Sequence, residues 1–379
     1  MNSTLREAMR LMQTGDLLAA TAEIQRGLGG GPAHAPHAPP GAATEASAPL
    51  DGVFHVLDET PQPAPEPGAE IPPGHADAPP GRASFAEHLY SGPAGTRRYM
   101  LFVPSAYRGQ PLPLVVMLHG CTQTPDDFAT GTRMNVAAEA NGCFVAYPAQ
   151  SPQANASKCW NWFKPGDQSR DGGEPAIIAG LVRELSLSYG LDRERIYVAG
   201  LSAGGAMAVI LGRAYPDLFA AVGVHSGLPY RIAHDVPSAF AAMQRRTLSS
   251  RQGSSAASDS ASPTTVPTIV FHGDRDSTVH PGNGEQVASE LLRTSAMGSA
   301  GGSGAAVERR KDTVAGGRDY TQTISRDLDG RVLGEHWLVH GGGHAWSGGD
   351  SRGSFTDPEG PDATAEMLRF FREHGRRSP

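Results

Sequence analysis

The chain has 379 residues, 39% of them hydrophobic, with a net charge of −7: enough apolar material for one large α/β domain or two smaller ones. The negative balance and the absence of any basic run exclude a nucleic-acid partner and a polybasic membrane anchor. No apolar stretch reaches the roughly 18 residues that a membrane span needs, and three cysteines do not make a disulfide framework.

Residues 1–28 carry apolar side chains at helical spacing: Leu5, Met9 and Met12, then Leu17, Leu18, Ala22, Ile24 and Leu28. Thr14-Gly15-Asp16 interrupts them, which predicts a short helical hairpin with Asp16 capping its second helix. This hairpin reads either as an appendage packed on the main domain or as a docking or dimerisation element. Leu17-Leu18-Ala19-Ala20 is too short an apolar core for a signal peptide, and Glu7, Asp16 and Glu23 interrupt the region. Residues 29–83 form a Pro/Ala/Gly-rich linker holding 13 of the 31 prolines, too poor in apolar side chains to offset the ordering of its backbone. His34, His37, His55 and His75 within it lack ligand-like spacing and read as solvated linker residues.

The main folded domain is assigned to residues 84–379. Phe85 to Tyr90 and Arg97 to Val103 flank Gly92-Pro93-Ala94-Gly95 and read as an antiparallel hairpin. Apolar strands and amphipathic helices then alternate. Strands are predicted at 114–118, 144–147, 195–199, 220–224, 268–271 and 333–339, and helices at 134–140, 175–189, 206–211, 284–292 and 362–373. That alternation implies a mostly parallel central sheet with helices on both faces, and with the hairpin at its start the order matches an α/β-hydrolase fold. Residues 249–265 and 298–306 are rich in Ser, Ala and Gly and read as mobile surface insertions, the first a candidate lid.

The third strand of that series runs into Gly200-Leu201-Ser202-Ala203-Gly204, a G-x-S-x-G pentapeptide followed by a helix. The strand–turn–helix context makes Ser202 the candidate nucleophile of a tight elbow. A serine hydroxyl needs a base, and in this fold the partners follow in the order acid, then histidine. His272-Gly273-Asp274-Arg275-Asp276 follows a later strand; Asp276 is the preferred acid, with Asp274 read as turn chemistry. His344 follows three glycines after the last strand and is the candidate base, whereas His336 and His340 read as sheet residues. For the oxyanion, donors are expected from the Ala203 N–H and, in the loop after Leu118, from the Cys121 N–H. His119 reads as a satisfied histidine at a strand end. Trp160, Trp162 and Trp346 are candidate walls of a substrate groove, or, for the first two, plugs of the core beneath their loop. Cys143 reads as a buried thiol; whether Cys121 and Cys159 pair is left open.

Leu118-His119-Gly120-Cys121-Thr122-Gln123, Tyr147-Pro148, Cys159-Trp160-Asn161-Trp162-Phe163, Gly200 to Met207 and Gly343-His344-Ala345-Trp346-Ser347-Gly348 occur in that order. Together they resemble the polyhydroxybutyrate depolymerase family of esterases, whose catalytic domains are also similar to feruloyl and acetyl-xylan esterases. The resemblance covers residues 84–374. It implies a Ser202–His344–Asp276 triad, the Cys121 and Ala203 amides as oxyanion hole, a groove lined by the 160–163 loop, and a polyester or oligoester substrate. The acyl-enzyme chemistry so implied needs no metal or organic cofactor. Many members of the family are secreted, which implies an extracellular site of action, while the missing signal-peptide pattern points to the cytoplasm. Feruloyl or acetyl-xylan esterase activity, and an inactive polymer-binding protein on the same scaffold, are the alternatives. With such a substrate the hairpin at 1–28 is a candidate tether to a polymer granule or protein partner.

Overall fold

The computed structural model describes residues 81–245, 266–298 and 306–376. The expected helical hairpin at 1–28, nearly all of the linker and the candidate lid at 249–265 lie outside the described residues.

A ten-stranded sheet organises the rest. Its first two strands, β1 (Ser84–Gly92) and β2 (Gly95–Val103), form the expected hairpin, with Gly92 opposite Gly95 across Pro93-Ala94. The following strands are β3 (Leu114–Leu118), β4 (Phe144–Pro148), β5 (Ile196–Leu201), β6 (Ala221–His225), β7 (Thr268–Gly273), β8 (Ala306–Thr313), β9 (Asp319–Arg326) and β10 (Val332–Val339). Their spatial order is β1-β2-β4-β3-β5-β6-β7-β10-β9-β8. The central run from β4 to β10 is parallel, and antiparallel strands close both edges.

Strands β3 to β7 are buried on every residue because both faces are covered. Leu114, Val116 and Leu118 of β3 face one core, while Val115 and Met117 face the other. The first core is closed by helix Gly173–Ser188, through Ile178, Leu181, Val182 and Leu185, and by helix Ala203–Ala214, through Met207, Ile210 and Leu211. The second is closed by Phe128 of helix Pro125–Thr132, Met134 and Ala138 of helix Met134–Asn141, and Met367, Phe370 and Phe371 of helix Ala363–Glu373. In chain order these helices are α1 (Pro125–Thr132), α2 (Met134–Asn141), α3 (Gly173–Ser188), α4 (Ala203–Ala214), α5 (Val236–Met243), α6 (Gly282–Gly298) and α7 (Ala363–Glu373). No described helix is long and apolar enough to cross a membrane.

Helices α1 and α5 and strands β8 and β9 were not among the elements expected from the sequence. Helix α1 has Thr124 as its cap, whose Oγ1 accepts from Asp127 N at 3.3 Å. Helix α5 starts in a capping box between Asp235 and Ser238. Strand β8 is exposed along its whole length, so the charged run Glu308-Arg309-Arg310-Lys311-Asp312 carries no apolar alternation to betray it.

Candidate active site

The site lies at the carboxyl ends of the parallel strands, where β5 turns into α4. Ser202 occupies that turn at φ 57° and ψ −119°, a conformation that side-chain-bearing residues avoid, with its N–H held by His225 O at 2.8 Å. The two glycines of the pentapeptide make the turn feasible. A Cβ on Gly200 would stand 2.4 Å from the Gly204 carbonyl carbon, and one on Gly204 only 2.0 Å from Leu118 O. Ala203 opens α4, so its N–H has no acceptor inside the helix.

The acid loop after β7 and the histidine loop after β10 are joined along their backbones. Asp274 N donates to Val339 O at 3.0 Å and Arg275 N to Gly342 O at 2.9 Å. Asp274 completes this clamp, its carboxylate accepting from Gly341 N at 2.7 Å and from His340 Nδ1 at 2.9 Å. Asp276 is thereby carried over the strand ends, where its Oδ2 accepts from His344 Nδ1 at 2.7 Å. Its Oδ1 accepts from Thr278 N at 2.9 Å and Val279 N at 2.8 Å. The buried His272 adds a further contact, Nε2 to Asp276 Oδ2 at 3.3 Å, while donating to Val279 O at 2.9 Å. Burial opposes a charge on Asp276, but the hydrogen bonds from His272 and His344 more than reverse this and hold its carboxyl far below the usual range. With the carboxylate ionised, His344 must carry its proton on Nδ1, which leaves Nε2 as the basic nitrogen.

Ser202 and His344 face one cavity of about 300 Å³, whose walls include Cys121, Trp162, Phe163, Phe240 and Met243. Helix α5 forms one wall. The loop bearing Cys121 is braced on all sides. Gly120 N donates to Gln123 Oε1 at 2.9 Å, Thr122 N donates to Ser157 O at 2.8 Å, and Cys121 is disulfide-bonded to Cys159 with Cα atoms 4.2 Å apart. The pairing left open by the sequence is therefore formed, and Cys143 is a free, buried thiol. His119 is a satisfied strand-end histidine: it donates from Nδ1 to Gly120 O at 2.7 Å and accepts at Nε2 from Gln150 N at 3.0 Å. Burial lowers its pKa to about 4, so it is neutral.

Of the three tryptophans expected on the substrate groove, Trp162 lines the cavity. Trp160 and Trp346 do not: their place on the groove is corrected, Trp160 taking the core-plug alternative that the sequence left open. Trp160 is fully buried and donates from Nε1 to His119 O at 3.1 Å, at the base of the loop that bears Cys121. Trp346 is buried between Phe128 and His225, with Nε1 donating to Thr364 Oγ1 at 3.0 Å. Asn161, between the two tryptophans of its loop, donates through N and Nδ2 to the buried Glu174, both at 2.8 Å. Glu174 also accepts from Gln150, which takes a 2.6 Å bond from the buried Arg97. Sequence reasoning missed this polar block, and it missed the cavity walls contributed by α5 and Phe355. The Asp235-Val236-Pro237-Ser238 start of α5 is a capping signal that was available.

A sharp serine elbow at the end of a parallel strand, followed by an acid and a histidine on later loops, defines an α/β-hydrolase. The fold agrees with a solved structure: an acetyl xylan esterase from Aspergillus awamori superposes with a TM-score of 0.58 at 20% identity, covering 76% of this chain and 99% of that one. The family model for esterase PHB depolymerases matches residues 97–315, and the chain belongs to that family. Poly(3-hydroxyalkanoate) depolymerase C of Paucimonas lemoignei is 32% identical over 237 residues, 61% of this chain and 54% of that protein. Poly(3-hydroxybutyrate) depolymerase of Ralstonia pickettii is 30% identical over 254 residues, 63% of this chain and 49% of that protein. The chain thus spans about half the length of these curated relatives.

Proposed function

We propose that the protein is a serine esterase that cleaves short-chain polyhydroxyalkanoate esters, polyhydroxybutyrate and its oligomers, with residues 84–379 as the catalytic unit. The observation that carries this reading is the 2.7 Å bond from His344 Nδ1 to the buried Asp276, made on the wall of the cavity that Ser202 also faces. In this mechanism His344 Nε2 removes the Ser202 proton as Oγ attacks the ester carbonyl, and Asp276 stabilises the imidazolium that forms. The Ala203 and Cys121 amides receive the oxyanion, each such donor being worth about 3 kcal/mol in the transition state. Collapse of the tetrahedral intermediate breaks the ester C–O bond, and His344 returns the proton to the leaving alcohol. Water then repeats the sequence on the acyl-enzyme and releases the acid.

Substrate choice rests on the cavity walls and the relatives. Trp162, Phe163, Val236, Phe240 and Met243 offer an apolar surface suited to a short aliphatic acyl group. A strained serine elbow has no use in a protein that only binds polymer, which disfavours the inactive alternative. A panel of 3-hydroxybutyrate oligomers, feruloylated sugars and acetylated xylo-oligosaccharides tests the assignment. The hydroxybutyrate oligomers are expected to show the highest kcat/KM; faster turnover of either carbohydrate ester would transfer the protein to that class.

A further inference from the structure

We propose that Phe355 is the platform for the leaving-group side of the substrate, selecting esters whose alcohol is itself a hydroxyacyl unit. The inference rests on the esterase reading above and adds a specificity-determining residue to it. Phe355 lines the same cavity as Ser202 and His344, yet it is 44% exposed, so its ring presents apolar surface at the mouth instead of filling the core. Its backbone sits at φ 53°, a left-handed conformation that is an outlier for a bulky side chain. Such a conformation persists only where neighbouring bonds fix it.

Those bonds are present, and they lead to the catalytic loops. Ser354 N donates to Asp127 Oδ1 at 2.8 Å, and Ser354 O accepts from Gln123 Nε2 at 3.1 Å. The same Gln123 holds Gly120 N, so the oxyanion loop and the Phe355 loop share one buried side chain. On the other flank Phe355 O accepts from Trp346 N at 2.7 Å, two residues beyond His344. The leaving alcohol must lie against His344, because that imidazole protonates it. Phe355 is hung from the same segment, which sets its ring on the alcohol side. A methyl ester leaves this ring uncovered, whereas the methyl and methylene groups of a second 3-hydroxyalkanoate unit would cover it.

The test compares wild type with Phe355→Asn and Phe355→Tyr on methyl 3-hydroxybutyrate and on the linear 3-hydroxybutyrate trimer. Asparagine tolerates the left-handed conformation, so this variant is expected to melt no lower than wild type. The trimer-to-methyl-ester ratio of kcat/KM is expected to fall about tenfold in Phe355→Asn, chiefly through the trimer's KM, and to stay within about twofold in Phe355→Tyr. An unchanged ratio in Phe355→Asn, or a wild type without preference for the trimer, overturns the proposal and leaves the esterase reading standing. A wild type that hydrolyses neither ester overturns both.

Discussion

Replacing Asp276 by Asn probes the proposed base through its tautomer. Four donors converge on this carboxylate: Thr278 N and Val279 N on Oδ1, His344 Nδ1 and His272 Nε2 on Oδ2. Asparagine supplies one acceptor oxygen and one donor NH2. The two backbone amides, at 2.9 and 2.8 Å, hold the oxygen on their side and turn the NH2 towards His344. The imidazole must then accept at Nδ1 and carry its proton on Nε2, where it has no lone pair left for Ser202. We expect kcat to fall about 10⁴-fold with KM little changed, equivalent to about 5.5 kcal/mol of lost transition-state stabilisation. The NH2 also meets His272 Nε2, and one mismatched buried pair costs about 1–3 kcal/mol of stability, which a domain of this size survives. Hydrolysis of p-nitrophenyl butyrate gives the rate, and near-ultraviolet circular dichroism with thermal melting verifies the fold. A folded variant within tenfold of wild type would refute the assigned role of Asp276.

Two further outcomes are expected. The Cys121–Cys159 bridge spans 38 residues, so the Cys121→Ser/Cys159→Ser double variant should lose about 4 kcal/mol of stability on chain-entropy grounds. Its kcat should also drop about tenfold as the Cys121 amide loosens; melting point and kcat both unchanged would contradict this. Acid lability is expected from His119 and His225, which burial holds neutral with pKa values of about 4 and about 3. Both lie below the value of roughly 6.5 in an unfolded chain, so unfolding takes up protons that the native state refuses. Stability should therefore fall as pH drops from about 6.5 towards 4, by up to about 2.7 kcal/mol per pH unit for two protons, as read by urea unfolding at several pH values. Stability flat across that range would show that these histidines titrate in the fold.

The parallel core was legible because largely apolar strands alternating with amphipathic helices have few other solutions. The Ser202 elbow was legible because the glycines that its tight turn demands stand in a G-x-S-x-G pattern between a strand and a helix, although the backbone that excludes a Cβ at Gly204 is that of the distant Leu118 and His119. The acid was harder: Asp274 and Asp276 are both loop carboxylates, and only the backbone bonds from Asp274 and Arg275 to the β10 loop show which carboxylate reaches His344. The tryptophans misled in part, because sequence records an aromatic ring but not its direction. Trp160 points down to His119 O and Trp162 outward to the cavity, although one residue separates them. The charged strand β8 shows no apolar alternation and is held by its hairpin with β9, whereas the left-handed Phe355 is set by contacts of its neighbour Ser354 that are remote in sequence.

The central claim is that Ser202 is the activated nucleophile. Labelling the native protein with a fluorophosphonate and mapping the adduct by peptide mass spectrometry tests it most directly. A single stoichiometric adduct on Ser202 is expected, with loss of ester hydrolysis in step with labelling, and Ser202→Ala should be unlabelled and inactive at an unchanged melting temperature. An adduct on another residue, or hydrolysis retained by the folded alanine variant, would contradict the account.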